Sequence, residues 1–271
     1  MTTTATRPAA GARPRAAILA KTLRTDRWWA SPLGIAIILA IFVIYSTVRI
    51  FMGKHYWVGE GHYLTPLYSP CVSKSCVPGS SHFGTPLPKF PFFIPLGALV
   101  FPIVAGFRVT CYYYRKAGYR SLWLSPQACA VREPHAKYTG ETRFPLIFMN
   151  SHRYFFYLAS LVLLINIYDA VLAFHGRDGG FGLGVGTLII CANVALLAGY
   201  TLSCHACRHV VGGRLKHFSK HPLRYRFWTF VSKLNGRHGT FAMASLLSVM
   251  ITDAYIMAVS AQWITDLRIF N

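Results

Sequence analysis

The chain combines few charged residues with a large excess of positive charge. Of its 271 residues, 54% are hydrophobic and 13% are charged, yet the formal net charge is +20 and the mean hydropathy is +0.38. Because about 25% of the residues in a soluble domain are charged, this composition indicates an integral membrane protein. Nucleic-acid binding, which a basic chain can also indicate, is excluded because the apolar segments are too long and continuous.

The amino-terminal stretch is basic and rich in Thr, Ala, Pro and Arg, and it precedes any apolar run. It is too long for the charged region of an ordinary cleaved signal peptide. Residues 1–32 are therefore predicted to form a retained cytoplasmic tail.

Five apolar segments follow the tail. A helix that crosses the hydrocarbon core needs about 20 apolar residues, and the sequence predicts such helices at about 33–52, 92–111, 152–174, 181–204 and 239–264. Pro95 and Pro102 are expected to bend the second helix. The predicted fold class is all-α: residues 33–271 form an integral membrane bundle of five transmembrane helices with almost no soluble domain.

The basic residues predict the orientation of the bundle. Six Lys and Arg residues lie in the tail, seven lie in loop 112–153, and eight lie in loop 205–238, which has no acidic residue. Arg108 is assigned to the same side. The positive-inside rule places this side in the cytoplasm, so the amino terminus is predicted to be inside and the carboxy terminus outside.

The cysteines and histidines fall into two groups. Cys71 and Cys76 lie in a predicted outer loop, where an oxidising exterior permits a disulfide, and two free thiols are the alternative. The second group lies at the inner edge of the bilayer, on four different helix ends. Its members are Cys111, His152, Cys204, His205, Cys207, His209 and His238. Seven such residues at one depth indicate a metal or redox centre, although interfacial histidines and packed cysteines also occur without one.

Helix geometry limits how this second group combines. At about 100° per residue, Cys204 and Cys207 share one side of their helix, whereas His205 and His209 face nearly the opposite way. A centre with two thiolates and two imidazoles must therefore recruit residues from neighbouring helices. The candidates are Cys111, His152 and His238.

Three cofactors fit these residue types. Two thiolates and two imidazoles suit a [2Fe–2S] cluster in which histidines replace two cysteines on one iron, and they also suit structural zinc. Haem b needs only two imidazoles, for example those of His152 or His205 with His238.

Polar residues within and beside the spans suggest further roles. Asp169 and Asp253 are placed in the outer half of the membrane, where a carboxyl group is costly; they are expected either to relay protons or line an outer quinone pocket, or to sit hydrated at the interface. At the inner rim, Arg153, Tyr154 and Trp228 are candidate quinone-binding residues, because a quinone head group binds aromatic walls and hydrogen-bond donors.

Several stretches resemble one family, the membrane-anchor (cytochrome b-type) polypeptide of succinate dehydrogenase in its single-chain, five-span actinobacterial form. They span the chain from the second to the fifth predicted helix. The stretches are 110–116 (TCYYYRK), 138–141 (YTGE), 144–146 (FPL) with Asn150, 152–157 (HRYFFY) and 203–213 (SCHACRHVVGG).

The resemblance implies a multi-pass subunit of the bacterial plasma membrane. A flavoprotein subunit and an iron–sulfur subunit would be its partners, and it would pass electrons to menaquinone or another quinone. Many family members hold haem b between paired histidines, but the first predicted helix here has no histidine and the second offers Cys111 instead. That departure favours a Rieske-type [2Fe–2S] cluster, which is associated with one branch of the family. Its first-choice ligands are Cys204 with Cys111 or Cys207 on one iron and His152 with His238 on the other, with His205 and His209 as reserves.

Haem b in the same anchor is the first alternative. A small transporter or a zinc-stabilised membrane scaffold is the second, although transporters often show internal repeats and the sequence has none. The basic loop 205–238 is expected to steer an acidic partner to the inner face, or to attract anionic lipid.

Overall fold

The computed structural model describes residue 27 and residues 29–118, 142–144, 146–176 and 178–270. Most of the predicted tail, the loop segment 119–141 and the motif at 138–141 lie outside the described residues. The chain is mainly helical. Its longer helices are α1 (Ala30–Met52), α4 (His152–Leu172), α5 (Val185–Leu202) and α8 (His238–Ser260). Shorter ones are α2 (Phe101–Val109), α3 (Tyr112–Gly118), α6 (His205–Gly212) and α7 (Pro222–Asn235).

Four helices in the described part of the chain are long and apolar enough to cross a membrane, namely α1, α5, α8, and α4 together with the 3₁₀ turn before it. They match the first, third, fourth and fifth predicted spans, which confirms the all-α integral membrane fold. Their outer faces carry large apolar side chains, such as Ile44 at 65% exposure and Leu164 at 63%. Lipid tails would cover these faces.

The second predicted span, 92–111, is not one continuous helix. A 3₁₀ turn at Leu96–Ala98 precedes α2, which has only nine residues; a helix of this length is about 14 Å long, less than the roughly 30 Å of the hydrocarbon core. Pro95 and Pro102 lack the N–H groups that a continuous helix needs. The prediction of a full-length second helix was therefore wrong, and the total number of spans stays a prediction.

The interrupted segment nevertheless runs antiparallel to α1. Near its start, Gly97 packs so closely on Ile50 that an added Cβ would lie 2.7 Å from the Ile50 methyl. Further on, the Arg108 guanidinium lies 5.4 Å from the centre of the Phe42 ring, and α3 packs against α1. Because α3 begins at Tyr112 after a break at Thr110 and Cys111, the break leaves the Cys111 thiol inside the bundle.

A second break separates α5 from α6. α5 ends at Leu202, and Cys204 has the extended backbone of a helix N-cap, with φ −64° and ψ 144°, before α6 begins at His205. The fourth span was predicted to end at about residue 204, two residues beyond the end of α5. α6 and α7 form a hairpin beside the ends of α4 and α5.

The two ends of the bundle differ. The end that carries Cys111, His152, Cys204 and His238 is called the cysteine–histidine end, and the opposite end, with a disulfide between Cys71 and Cys76, is called the disulfide end. Two short antiparallel pairs lie at the disulfide end, β1 (Trp57–Val58) with β2 (Tyr63–Leu64) and β3 (Leu183–Gly184) with β4 (Arg268–Phe270). α1 begins at the cysteine–histidine end and β4 lies at the disulfide end. Which end faces the cytoplasm stays a prediction.

A buried ion pair joins α1 to α8. Arg49 Nε donates to Asp253 Oδ2 at 2.6 Å, and the two side chains are 2% and 0% exposed. Tyr45 Oη donates to the same carboxylate oxygen at 2.7 Å. The remaining guanidinium nitrogens donate to the carbonyl oxygens of Lys54 and His55. Every charge in this group therefore has a partner inside the protein, as an apolar surrounding requires.

We expect Asp253→Asn to lower the free energy of unfolding by about 3–5 kcal/mol, because it leaves the Arg49 charge buried and unpaired. The double variant Arg49→Met/Asp253→Asn should recover most of this loss, since neither charge remains. Detergent-induced unfolding of the purified protein measures both. A single variant as stable as the wild type would contradict the assignment.

Candidate metal site

Four of the seven predicted residues come together at the cysteine–histidine end. Cys111 lies at the break after α2, His152 opens α4, Cys204 caps α6, and His238 opens α8. Both thiols are 1% exposed. The two helix breaks and two helix starts therefore deliver one side chain each to a common site.

The His152 ring is held in one orientation and one tautomer. Thr110 Oγ1 donates its single hydrogen to the Gly106 carbonyl oxygen at 2.6 Å and lies 2.9 Å from His152 Nδ1. Because that hydroxyl has no second hydrogen to donate, Nδ1 must carry the proton and donate. The unprotonated Nε2 then faces Cys204 Sγ at 3.1 Å.

His238 repeats the same arrangement. Ser203 Oγ donates to the Tyr200 carbonyl oxygen at 3.1 Å and accepts from His238 Nδ1 at 2.8 Å. The His238 Nε2 atom faces Cys111 Sγ at 3.3 Å. Histidine ligands of metals are typically oriented in this way, with the second ring nitrogen hydrogen-bonded to the protein.

Aromatic rings pack against both histidines. The Phe107 ring stacks on His152 with centroids 5.0 Å apart, and the Tyr200 ring stacks on His238 at 5.1 Å. Phe107 and Tyr200 also contact each other. These rings separate the site from the interior of the bundle and limit rotation of the imidazoles.

The two histidine–cysteine pairs are neighbours. His152 lies close enough to His238 for electrostatic interaction, and Cys111 lies close enough to Cys204. Even so, no three Cys, His, Asp or Glu side chains among the described residues are arranged to hold one metal ion. The four donors therefore form two adjacent pairs rather than one coordination shell around a single metal ion.

A cavity of about 630 Å³ opens at this site. It is lined by all four donors and by other residues of the cysteine–histidine end. The lining also includes Thr110, Arg153, His205, His209 and Asn235. The donors thus face space that can hold a ligand.

The other three predicted ligands are placed differently. His205 and His209 line the cavity and pack against each other with ring centroids 5.3 Å apart. Cys207 is buried in α6 and does not line the cavity. Cys204 precedes α6 with an extended backbone, so it does not lie on the same regular helix as Cys207. The prediction that both thiols face one side of a helix therefore does not apply.

Burial favours the neutral forms of the groups on α6. It raises the pKa of the Cys204 thiol to about 12 and also raises that of Cys207. It lowers the pKa of His205, with a smaller contribution from His209. Since only a thiolate ligates metal, metal binding at Cys204 would release a proton.

The predicted quinone-binding residues do not form one group. Arg153 lines the cavity. Tyr154, by contrast, is 71% exposed, and Trp228 packs against Gly212 beneath the Arg208 guanidinium. Only Arg153 is therefore positioned beside the four donors.

The two membrane aspartates are buried rather than hydrated. Asp253 pairs with Arg49, as described above, and Asp169 accepts hydrogen bonds from Ser69 Oγ and from His82 Nδ1. Neither lines the cavity at the cysteine–histidine end. Their role in proton transfer stays a prediction.

Sequence reasoning missed two groups of residues. At the disulfide end, His62 stacks on His175 with centroids 3.9 Å apart and lies beside His82; burial first, and then these two rings, lower the pKa of His62. These histidines are far apart in sequence, so no spacing signals them. The second group is the hydroxyls of Thr110 and Ser203, whose position directly before a predicted cysteine ligand was the available signal.

Fold and site together define a small helical membrane protein with a buried Cys₂His₂ donor set at one end. The chain matches the family model "Actinobacterial succinate dehydrogenase subunit SdhC" over residues 30–262, and it belongs to that family. The motif resemblance is thereby confirmed. The chain is the membrane-anchor subunit of a succinate dehydrogenase, a succinate:quinone oxidoreductase of the bacterial plasma membrane.

A solved structure supports the same assignment. A chain of the Mycobacterium smegmatis Sdh1 complex in the apo form is 58% identical, and the similarity covers 100% of both chains with a TM-score of 0.88. No curated protein matches the sequence significantly.

For a metal held by the four donors, we expect Thr110→Val to weaken its retention by about 10–100-fold, because loss of a hydrogen-bond partner of a ligating histidine typically has this effect. Ser203→Ala should act similarly on His238. Competition with an iron chelator measures the loss.

Thr252→Val on α8 is the matched control for Thr110→Val. It makes the same substitution at a buried hydroxyl that has no hydrogen-bond partner in the described structure. Equal loss of metal in Thr110→Val and Thr252→Val would show that Thr110 does not act through His152.

Proposed function

We propose that this anchor passes electrons from the iron–sulfur subunit to a membrane quinone through a Rieske-type [2Fe–2S] cluster. Cys111 and Cys204 would ligate one iron, and His152 and His238 the other. The observation that carries the proposal is that both histidines donate from Nδ1 to a hydroxyl and turn a bare Nε2 toward a cysteine thiol.

The donor set fits this cluster better than zinc. Structural zinc requires about four protein ligands around a single ion, whereas no three donors in the described residues are arranged to hold one ion. Each iron of a [2Fe–2S] cluster takes only two protein ligands, since the bridging sulfides complete its shell. Two thiols beside two imidazoles match that requirement.

The same geometry argues against haem b. In a bis-histidine haem both Nε2 atoms face one iron from opposite sides of a flat macrocycle. Here the Nε2 atoms of His152 and His238 face two different thiols. Those thiols would have no function in a haem site.

The cluster would supply one-electron transfer at a relatively high potential, about −150 to +300 mV for histidine-ligated centres. This chain's residues do the rest. Thr110 and Ser203 hold the imidazoles, Phe107 and Tyr200 shield them, and the cavity gives access from the cysteine–histidine end.

The hairpin of α6 and α7 offers a docking surface at this end. Lys216, Lys220 and Arg226 are exposed on it, and so are apolar side chains such as Leu223 at 78%. As part of succinate dehydrogenase, the chain works with a flavoprotein and an iron–sulfur subunit. We place the iron–sulfur subunit on this surface, because positive charge steers an acidic partner and the electron then has a short path to the four donors.

The quinone head group is proposed to bind in the cavity beside the donors. Arg153 and Arg115 are charged donors at its lining, and Tyr112 and Tyr113 supply aromatic walls. A cavity that combines aromatic walls with hydrogen-bond donors suits a quinone head group. Menaquinone is the expected substrate from the family resemblance.

We expect Cys204→Ser to abolish the EPR signal of a histidine-ligated [2Fe–2S] cluster in the purified complex, because the thiolate of Cys204 is a ligand. Cys207→Ser, three residues away and outside the cavity, should leave the signal unchanged. In a second matched pair, His152→Ala should abolish the signal and its control, His209→Ala, should leave it unchanged.

Two results would contradict the proposal that the anchor holds a [2Fe–2S] cluster. One is a wild-type complex that shows a haem absorption band and no such EPR signal. The other is a purified complex that contains zinc in place of iron in the membrane anchor. Loss of signal in Cys207→Ser as well as Cys204→Ser would mean that the ligand assignment is wrong.

We expect Arg153→Gln to raise KM for quinone about 10-fold or more, since a hydrogen bond from a charged donor contributes about 1.5–3 kcal/mol. The cluster EPR signal should persist. Tyr154→Leu is the control, because the neighbouring Tyr154 side chain lies outside the cavity. An unchanged KM in Arg153→Gln places the quinone elsewhere.

A further inference from the structure

Two arginines are buried among the residues that the structure describes, and only one of these two has a carboxylate partner. Arg49 pairs with Asp253. Arg108 is 1% exposed and forms no ion pair among the described residues. A buried charge without a counter-charge is strongly unfavourable, so its retention calls for compensation that the polypeptide alone does not supply.

The contacts of Arg108 are all neutral. Nη1 donates to Tyr114 Oη at 3.1 Å and to the Ala242 carbonyl oxygen at 3.2 Å, and Nη2 donates to Ser245 Oγ at 3.2 Å. The guanidinium carbon lies 4.8 Å from the centre of the Tyr200 ring. Its Nε atom is buried without a hydrogen-bond partner in the described structure.

This unpaired charge lies beside the candidate metal site. Arg108 precedes Cys111 by one helical turn, and it interacts electrostatically with Cys111 and with His238. Tyr200, whose ring faces the guanidinium, stacks on His238. The Tyr200 hydroxyl lies beside the Cys111 thiol.

We propose, on the basis of the function proposed above, that Arg108 is the counter-charge of the reduced cluster and raises its reduction potential. With two thiolates, two neutral imidazoles, two sulfides and two ferric ions, the oxidised form is formally neutral. One electron, delivered by the iron–sulfur subunit, reduces one ferric ion to ferrous and gives a single negative charge, without loss of a proton or a ligand. A fixed positive charge in a low dielectric stabilises that form, and net charge is one of the factors that set cluster potentials.

Arg108 is thus a positioning and tuning residue rather than a ligand. Its side chain is held by α3 through Tyr114 and by α8 through Ala242 and Ser245, which keep the charge at a constant distance from the site. The electron then leaves to the quinone, and the same charge remains for the next turnover.

The test is an EPR-monitored redox titration of the complete purified complex. Arg108→Met should shift the midpoint potential of the histidine-ligated cluster to more negative values, with the shape of its spectrum retained. Arg108→Lys, which keeps the charge, should restore most of the potential. The signals of the iron–sulfur subunit serve as the internal reference and should not move.

A second variant neutralises the charge without removing the arginine. Ser245→Asp places a carboxylate where the Ser245 hydroxyl accepts from Arg108, and it should shift the potential in the same direction as Arg108→Met. The double variant Arg49→Met/Asp253→Asn is the control, because it removes a buried arginine without changing net charge and should leave the potential unchanged.

The remaining outcomes distinguish failure of the counter-charge role of Arg108 from failure of the proposed function. Wild-type potential in Arg108→Met, or an equal shift in the Arg49/Asp253 control, overturns the counter-charge role. Loss of the cluster in both Arg108→Met and Ser245→Asp, with the anchor still assembled in the membrane, also overturns it and assigns Arg108 a purely structural role. Absence of the cluster signal from the wild-type complex refutes the proposed function itself, before any variant is considered.

Discussion

The helices of this membrane anchor cross a medium that offers no water to a polar group, so every buried polar side chain depends on a partner within the protein. The bundle meets this constraint in several places. Asp253 is held by Arg49 and Tyr45, and Asp169 by Ser69 and His82. The first group joins α1 to α8, and the second joins α4 to the segment between β2 and α2, so both connect parts of the chain that are distant in sequence.

The same constraint explains the cysteine–histidine end. Helix starts and helix breaks leave backbone and side-chain groups that need partners, and here they are used to orient imidazoles. Thr110 bonds back into α2 and Ser203 bonds back into α5, and each hydroxyl is then left only as an acceptor for a histidine. The interruption of α2 and the end of α5 are therefore part of the site, because an uninterrupted helix would carry Cys111 or Cys204 to a different position.

Arg108 differs from the other buried arginine described above. Arg49 has a carboxylate partner, whereas Arg108 has only neutral oxygens and aromatic rings. A buried charged group without a counter-charge calls for an explanation. Its position next to the four donors connects the stability of the bundle to the chemistry of the electron that passes through it.

The sequence by itself determined the class of protein, the approximate position of four membrane helices, the family, and the set of residues from which the site is drawn. These features depend on local apolarity, segment length and short motifs, which can be recognised in a sequence without knowing how the helices pack. Tertiary structure decided that His152, His238, Cys111 and Cys204 meet while Cys207 does not, that α2 is interrupted, and that Arg108 lies inside the bundle rather than at its inner edge. Those outcomes depend on where helices break and on which distant side chains form hydrogen bonds with one another. Contacts between residues 52 and 127 positions apart leave no pattern in a single sequence.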